Sequence, residues 1–224
     1  MNKVFSIAID GPAGAGKSTV AKQLAKSLDA MYLDTGAMYR TIGLYMLRKG
    51  YITDLKEIAA HVNDMDVTVR YENGMQKMYL DGEDVSDAIR TPDASMAASK
   101  TSSVPEVRVR LVELQRKIAE GQNVVMDGRD IGTHVLPNAT LKIYLTASAE
   151  VRAERRLAEL EAKGETDSYD KVLSDIIARD YADMHREASP LRPAEDSKWV
   201  DSSDLTQDEV VALLHKMARE AIGG

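Results

Sequence analysis

Gly11-Pro12-Ala13-Gly14-Ala15-Gly16-Lys17-Ser18-Thr19 is the stretch that decides the fold. Before it, Val4-Phe5-Ser6-Ile7-Ala8-Ile9 is short, apolar and rich in β-branched residues, which predicts a buried strand. After it, Val20, Ala21, Leu24, Ala25 and Leu28 form an apolar stripe at helical spacing. The stretch fits the phosphate-binding pattern G-x-x-x-x-G-K-[ST] in the strand–loop–helix context that the pattern requires. Its glycines let successive backbone N–H groups turn inward and cradle phosphate oxygens. The helix that follows points its positive end at the same place. Lys17 supplies a point charge for the β- and γ-phosphates of a nucleotide, and the Ser18 hydroxyl is a ligand for Mg²⁺.

The 224 residues suit one domain with room for inserted lobes, and 44% hydrophobic content is ample for a core. A net charge of −7 argues against a general nucleic-acid binder, so an anionic substrate has to be held by local arginine and lysine clusters. The absence of cysteine excludes a disulfide frame and a thiolate metal site. No apolar run approaches the ~18 residues of a membrane span, and the apolar N-terminal run leads straight into Asp10 and the glycine-rich loop rather than a cleavage site. A cytoplasmic protein without membrane or nucleic-acid partners, working as a monomer, is the expectation.

Met31-Tyr32-Leu33 reads as a second strand that ends at a helix-start signal, Asp34-Thr35-Gly36. The helix from about Thr35 to Lys49 carries Met38, Ile42, Tyr45 and Met46 on one face and stops at Gly50. Thr35, Tyr39 and Arg40 lie just past a strand end, where ligand crevices form in sheets of alternating strands and helices. The alternative is that Thr35 caps the helix and Arg40 is a solvated charge. Asp54 and Glu57 stand at capping-box spacing before a helix that runs to Asn63. The alternating Val67–Tyr71, the Asn73-Gly74 hairpin signal, the strand Lys77–Leu80 and the turn Asp81-Gly82 then predict a small antiparallel insertion over about 64–85. Thr91-Pro92-Asp93 opens a helix that carries Ser99. Pro105 opens a longer one with Val107, Leu111, Leu114 and Ile118 on its apolar face and Arg108, Arg110 and Arg116 off it.

Asn123-Val124-Val125-Met126 is a third core strand, and it ends in Asp127-Gly128-Arg129-Asp130. A carboxylate at a strand end beside a phosphate loop is the usual place for an acid that holds Mg²⁺ or positions water. Arg129 offers a bidentate fork for phosphate. Leu141–Leu145 and Lys198-Trp199-Val200 complete five strands. Between them lie two polar helices, about 149–163 with Arg152, Arg155 and Arg156, and about 168–186 with Arg179, Asp183 and Arg186. They break at Gly164 and suit a lid that closes over phosphates, although Glu154, Glu159 and Glu161 also allow a helical hairpin held by intrahelical pairs. Thr206 and Glu209 start the last helix, with Val210, Leu213, Leu214 and Met217 toward the core.

Strands alternating with helices predict an α/β fold with a parallel sheet and a site at the strand C-termini. A P-loop chain of this size is either a switch GTPase or a small-molecule kinase. The switch class needs a guanine-reading Asn-Lys-x-Asp, and the only Asn-Lys here, Asn2-Lys3, lacks the Asp and stands in the wrong place. The arginine-rich second half favours a kinase that closes over two sets of phosphates.

Three segments together, Gly11–Thr19, Leu33-Asp34-Thr35-Gly36-Ala37-Met38-Tyr39-Arg40 and Asp127-Gly128-Arg129-Asp130-Ile131-Gly132-Thr133, resemble the bacterial cytidylate kinases, as does Gly82-Glu83-Asp84-Val85-Ser86. The resemblance spans nearly the whole chain. It implies a single nucleoside-monophosphate kinase domain over 1–224: a five-stranded parallel sheet flanked by helices, an acceptor-binding insert at about 64–104 and a helical lid at about 149–186. It implies ATP as donor, CMP or dCMP as acceptor and Mg²⁺ as cofactor; UMP, dTMP or shikimate are the in-class alternatives. Carried over by residue, Arg40, Arg129 and Arg186 hold the acceptor phosphate with Tyr39 and Thr35 beside it, and Asp183 meets the ribose. Ser99, Arg108 and Asp130 read cytosine. Gly11 to Thr19 with Arg152, Arg155 and Arg156 hold ATP. Lys17, Arg129, Asp127 and Arg186 act at the transferring phosphoryl group, and Ser18 and Asp127 hold the metal. An Arg suits the O2 and N3 acceptors of cytosine and an Asp accepts from N4, whereas uracil puts an oxygen opposite that Asp.

Overall fold

The computed structural model describes residues 4–162 and 164–223. Its contacts divide the chain into two compact units, one made of Met1–Tyr32 with Gly121–Gly224 and the other of Leu33–Glu120.

The first unit is built on a parallel sheet. β1 (Ser6–Asp10) is apolar because both faces are covered, and Ile7, Ala8 and Ile9 are wholly buried. It runs parallel to β6 (Val124–Gly128) on one side and β7 (Leu141–Thr146) on the other, and β8 (Lys198–Asp201) continues the sheet beyond β7. The strand order is β2-β6-β1-β7-β8, where β2 is Met31–Asp34. β1 therefore lies between two later strands, at the place where the winding of the sheet reverses. Helix α1 (Lys17–Ser27) covers the sheet with Val20, Ala21, Leu24 and Ala25, and the last helix, α8 (Gln207–Gly223), with Val210, Leu214 and Ala218. Thr206 and Glu209 cap α8 reciprocally: the Thr206 N–H donates to Glu209 Oε2 at 2.8 Å and the Glu209 N–H to Thr206 Oγ1 at 3.3 Å.

Two further helices of this unit, α6 (Ala149–Ala162) and α7 (Tyr169–His185), pack on each other through Ala153, Leu160, Val172 and Ile176. That small core is separate from the one under the sheet. Lys163, expected as the last residue of α6, lies outside the described residues. The left-handed turn at Gly164 follows.

The second unit is helical with an antiparallel ribbon. It contains α2 (Thr35–Lys49), α3 (Leu55–His61), α4 (Pro92–Thr101) and α5 (Pro105–Ala119). The ribbon is β3 (Val67–Glu72), β4 (Met75–Leu80) and the short β5 (Glu83–Asp84). Asn73-Gly74 and Asp81-Gly82 all hold positive φ, the conformation of a tight two-residue hairpin, and they fix the register Glu72↔Met75 and Leu80↔Glu83. α2 and α4 approach closely at Gly43, where a Cβ would lie 2.8 Å from the Ala98 backbone nitrogen. Among the described residues no helix is long and apolar enough to cross a membrane.

Candidate active site

The chain leaves β1 at Asp10 and must turn back sharply into α1. Gly11 (φ +151°) makes that turn against the end of β7: a Cβ there would stand 1.9 Å from the Leu145 carbonyl oxygen, so no other residue fits. Gly16, at φ +82°, is the left-handed residue that starts α1, and no side chain caps that helix end. Its first-turn N–H groups therefore remain for an anion. Lys17 folds back over the loop, where its Nζ donates to the Pro12 carbonyl oxygen at 2.6 Å. Burial, and after it the Arg129 guanidinium, pull the Lys17 ammonium down to about 7, against the Asp127, Asp183 and Asp10 carboxylates that hold it up.

β6 runs beside β1 in the register Ile9↔Asp127, which brings Asp127 level with the start of the loop. Its buried carboxylate accepts from the Ser18 hydroxyl at 2.8 Å on one oxygen and from the Tyr32 hydroxyl at 2.8 Å on the other. These are hard oxygen donors held in place, the set that suits Mg²⁺. Among the described residues no group of three or more carboxylate, histidine or cysteine side chains forms a metal cage.

The next residues form a chain of alternating charge. Arg129 Nε donates to Asp183 Oδ2 at 2.8 Å, Arg186 Nη1 lies 3.7 Å from Asp183 Oδ1, and Arg186 Nη2 lies 4.0 Å from Asp130 Oδ1. Asp130, Asp183 and Arg186 are all nearly closed to solvent. Burial alone would raise the Asp183 carboxyl, but Arg129, with Arg179 and Arg186 behind it, outweighs that and holds it below the usual carboxylate range.

The arginines of α6 divide. Arg152 is buried; its Nη1 donates to the Ala13 carbonyl oxygen of the loop at 3.1 Å, and its two Nη atoms grip both oxygens of Asp180 at 3.0 and 2.6 Å. Arg155 donates to the Ser202 backbone oxygen at 2.7 Å, and Arg156 pairs on the exposed face with Glu159 at 3.2 Å, the intrahelical pairing that the sequence also allowed.

In the unit Leu33–Glu120 the cap of α2 is Asp34 rather than Thr35: its Oδ1 accepts from the Ala37 N–H at 2.8 Å while Oδ2 binds Arg40 Nη2 at 3.0 Å. Thr35 is buried at the first position of the helix, and Arg40 is paired rather than freely solvated. Arg108 is buried, with its guanidinium 5.5 Å from the Tyr39 ring centre and Nη1 donating to the Ser102 carbonyl oxygen at 3.3 Å. Ser99 is half-buried on α4. Arg110, also off the apolar stripe, serves structure: it donates to the Val62 and Met65 carbonyl oxygens.

Sequence reading missed Tyr32, Asp180 and the full part of Asp10 and Asp34. The last two left a trace: each is a carboxylate that ends an apolar strand, where the chain meets a loop or a helix start.

The chain matches the family model for cytidylate kinase over residues 7–220. It is 51% identical over 210 residues to the cytidylate kinase of Caldicellulosiruptor bescii, covering 93% of each chain, and 50% identical over 225 residues to that of Caldanaerobacter subterraneus, covering 100% of this chain and 99% of that one. The chain belongs to the cytidylate kinase family. A solved structure of an uncharacterized protein from Eubacterium ventriosum matches with a TM-score of 0.53 at 16% identity, covering 96% of this chain and 98% of its own, a likeness that concerns the fold alone.

For this cytidylate kinase family member the Arg129–Asp183 pair yields a pH signature. A carboxyl held below its unfolded value of 3.8 contributes stability at every pH above that value, and the contribution disappears as pH falls through the depressed native value. Asp183→Asn is expected to lower unfolding free energy by about 1.5–3 kcal/mol at pH 7. Urea titrations at descending pH should show the gap between wild type and variant closing below 3.8; a gap that stays constant would mean that the ionised pair is not what the substitution removed.

Proposed function

We propose that the protein transfers the γ-phosphoryl group of ATP to CMP or dCMP, giving ADP and CDP or dCDP. The observation that carries this reading is the phosphate loop with its uncapped α1 terminus and buried Lys17, beside the Asp127–Asp130 strand end, in a chain of this family. The acceptor phosphate is already anionic, so its oxygen attacks the γ-phosphorus without a general base while the bond to the β-phosphate oxygen breaks and ADP leaves. The work left to the protein is positioning and neutralisation of charge.

The proposed roles are these. The loop from Gly11 to Thr19 holds the ATP phosphates through backbone N–H groups, and Lys17 meets the transferring group. Arg152, already against the loop at Ala13, leads Arg155 and Arg156 in closing on the donor side. Arg129, Arg186 and Arg40 take the acceptor phosphate with Thr35 and Tyr39, Asp183 takes the ribose, and Arg108, Ser99 and Asp130 take the base. Ser18 and Asp127 would hold Mg²⁺, which, when bound, neutralises phosphate charge. The pairs Arg129–Asp183 and Arg186–Asp130 hold those four side chains against one another.

A coupled assay of ATP consumption across CMP, dCMP, UMP, AMP, dTMP and shikimate tests the reading. CMP and dCMP should lead; no acceptor dependence, with tight GTP binding, would return the chain to the switch class. Asp130→Asn replaces a carboxylate that accepts from cytosine N4 with an amide that can donate to uracil O4. It should cut kcat/KM for CMP far more than for UMP, within the ~10⁴-fold range that a hydrogen-bonding site can command, and leave KM for ATP nearly unchanged. Equal losses on both acceptors would remove Asp130 from base recognition.

The pair α6–α7 is proposed as the lid, because it carries its own small core and the Gly164 break. Hydrogen exchange over 149–186 should slow when a bisubstrate analogue binds, and equal exchange with and without it would leave a fixed hairpin.

A further inference from the structure

Asp10 has no part in the mechanism above, yet it is among the most enclosed carboxylates in the protein, 4% exposed at the end of β1. Its two oxygens are fully used. Oδ1 accepts from the Ile131 N–H and Oδ2 from the Gly132 N–H, both at 2.7 Å. These amides open the single wide helical turn Ile131–Val135, whose other end is tied to Asp130, since the His134 and Val135 N–H groups donate to the Asp130 carbonyl oxygen at 2.9 and 3.2 Å. The Asp130 backbone is thus pinned from both sides. The turn has no side-chain cap from its own N-cap residue, Asp130, whose carboxylate is left to face Arg186 instead. A carboxylate distant in sequence does the capping. Gly132 is also closely packed: a Cβ there would stand 3.3 Å from Asp10 Oδ2 and 3.2 Å from the Lys142 side chain.

We propose that Asp10 is a positioning residue for acceptor selection: by capping the turn at Ile131 and Gly132 it fixes where the Asp130 carboxylate points. The inference rests on the proposed role of Asp130 in reading the base. Burial raises the Asp10 carboxyl to about 6, with the Gly132 and Ile131 N–H bonds pulling against it, so the group is ionised at neutral pH and both oxygens remain acceptors. An asparagine in its place keeps one acceptor and turns an NH₂ group against an N–H, which releases half of the cap.

The test compares Asp10→Asn, Gly132→Ala and Asp130→Asn with wild type, by steady-state kinetics on CMP and UMP and by the KM for ATP. A small displacement at a positioned group costs between about 10- and 100-fold. Asp10→Asn should therefore lower kcat/KM for CMP by that factor, lower it much less for UMP, and change KM for ATP by less than about twofold. Gly132→Ala presses on the same contact from the other side and should narrow the CMP:UMP ratio in the same direction. It decides the matter alone if Asp10→Asn does not fold. If Asp130→Asn narrows the ratio while Asp10→Asn and Gly132→Ala lower both acceptors equally or leave the ratio alone, Asp10 only supports the fold and the inference is wrong. If Asp130→Asn itself leaves the ratio unchanged, the base-reading role of Asp130 fails, and the inference falls with it.

Discussion

The backbone at Gly11 passes so close to the Leu145 carbonyl oxygen that a single added carbon would sit 1.9 Å from it. That contact sets the phosphate loop against the end of β7 and leaves Gly16 to swing α1 back over the sheet. From it follow the direction of the α1 dipole, the place where Lys17 folds over Pro12, and the reach of Ser18 to Asp127. The sheet order supplies the other half of the constraint. With β1 between β6 and β7, the loop opens between two strand ends, and the charged run that ends β6 has nowhere to go but beside it.

Around that loop the protein places more charge than stability alone would favour. Buried ion pairs barely repay their desolvation, and breaking one by removing a partner is costly. Here Arg152 is gripped by Asp180, Arg129 by Asp183, and Arg186 stands between Asp183 and Asp130. Each arginine is thereby held at a fixed angle by protein carboxylates. Burial, and after it Arg129, depresses Lys17, while at Asp183 the arginines outweigh burial and hold the carboxyl down, the pattern expected where charge is gathered for chemistry.

Much of this is legible in the sequence. The core strands show as short, mostly apolar runs, the two hairpin turns as Asn-Gly and Asp-Gly, and α8 by a capping box that the structure forms reciprocally. Asp127–Asp130 stood out because three charges follow an apolar strand. Who pairs with whom was not legible. Arg129 meets a carboxylate 54 residues away, Ser18 meets one 109 away, and Asp10 caps a turn 121 away, and no local pattern encodes such distances. Asp34 and Thr35 both stand at the start of α2, and the choice between them as cap depends on backbone angles that either residue can adopt. The division of the α6 arginines turns on the burial of Arg152 against the loop and the hydrogen bond of the half-buried Arg155 to Ser202, both set by tertiary packing. The parts assigned to Ser99, Arg108 and Asp130 came from family resemblance, since spacing alone does not name a base.

In the proposed reaction, the loop and Lys17 neutralise a transferring phosphoryl group. The most direct measurement is transfer of label from γ-labelled ATP to CMP by wild type and Lys17→Met, with melting curves on both. Loss of a group that acts electrostatically in the transition state costs about 10²–10³-fold or more in kcat, so labelled CDP should fall by at least that factor while the melting transition stays in place. A folded Lys17→Met protein that still makes labelled CDP at close to the wild-type rate would contradict the account.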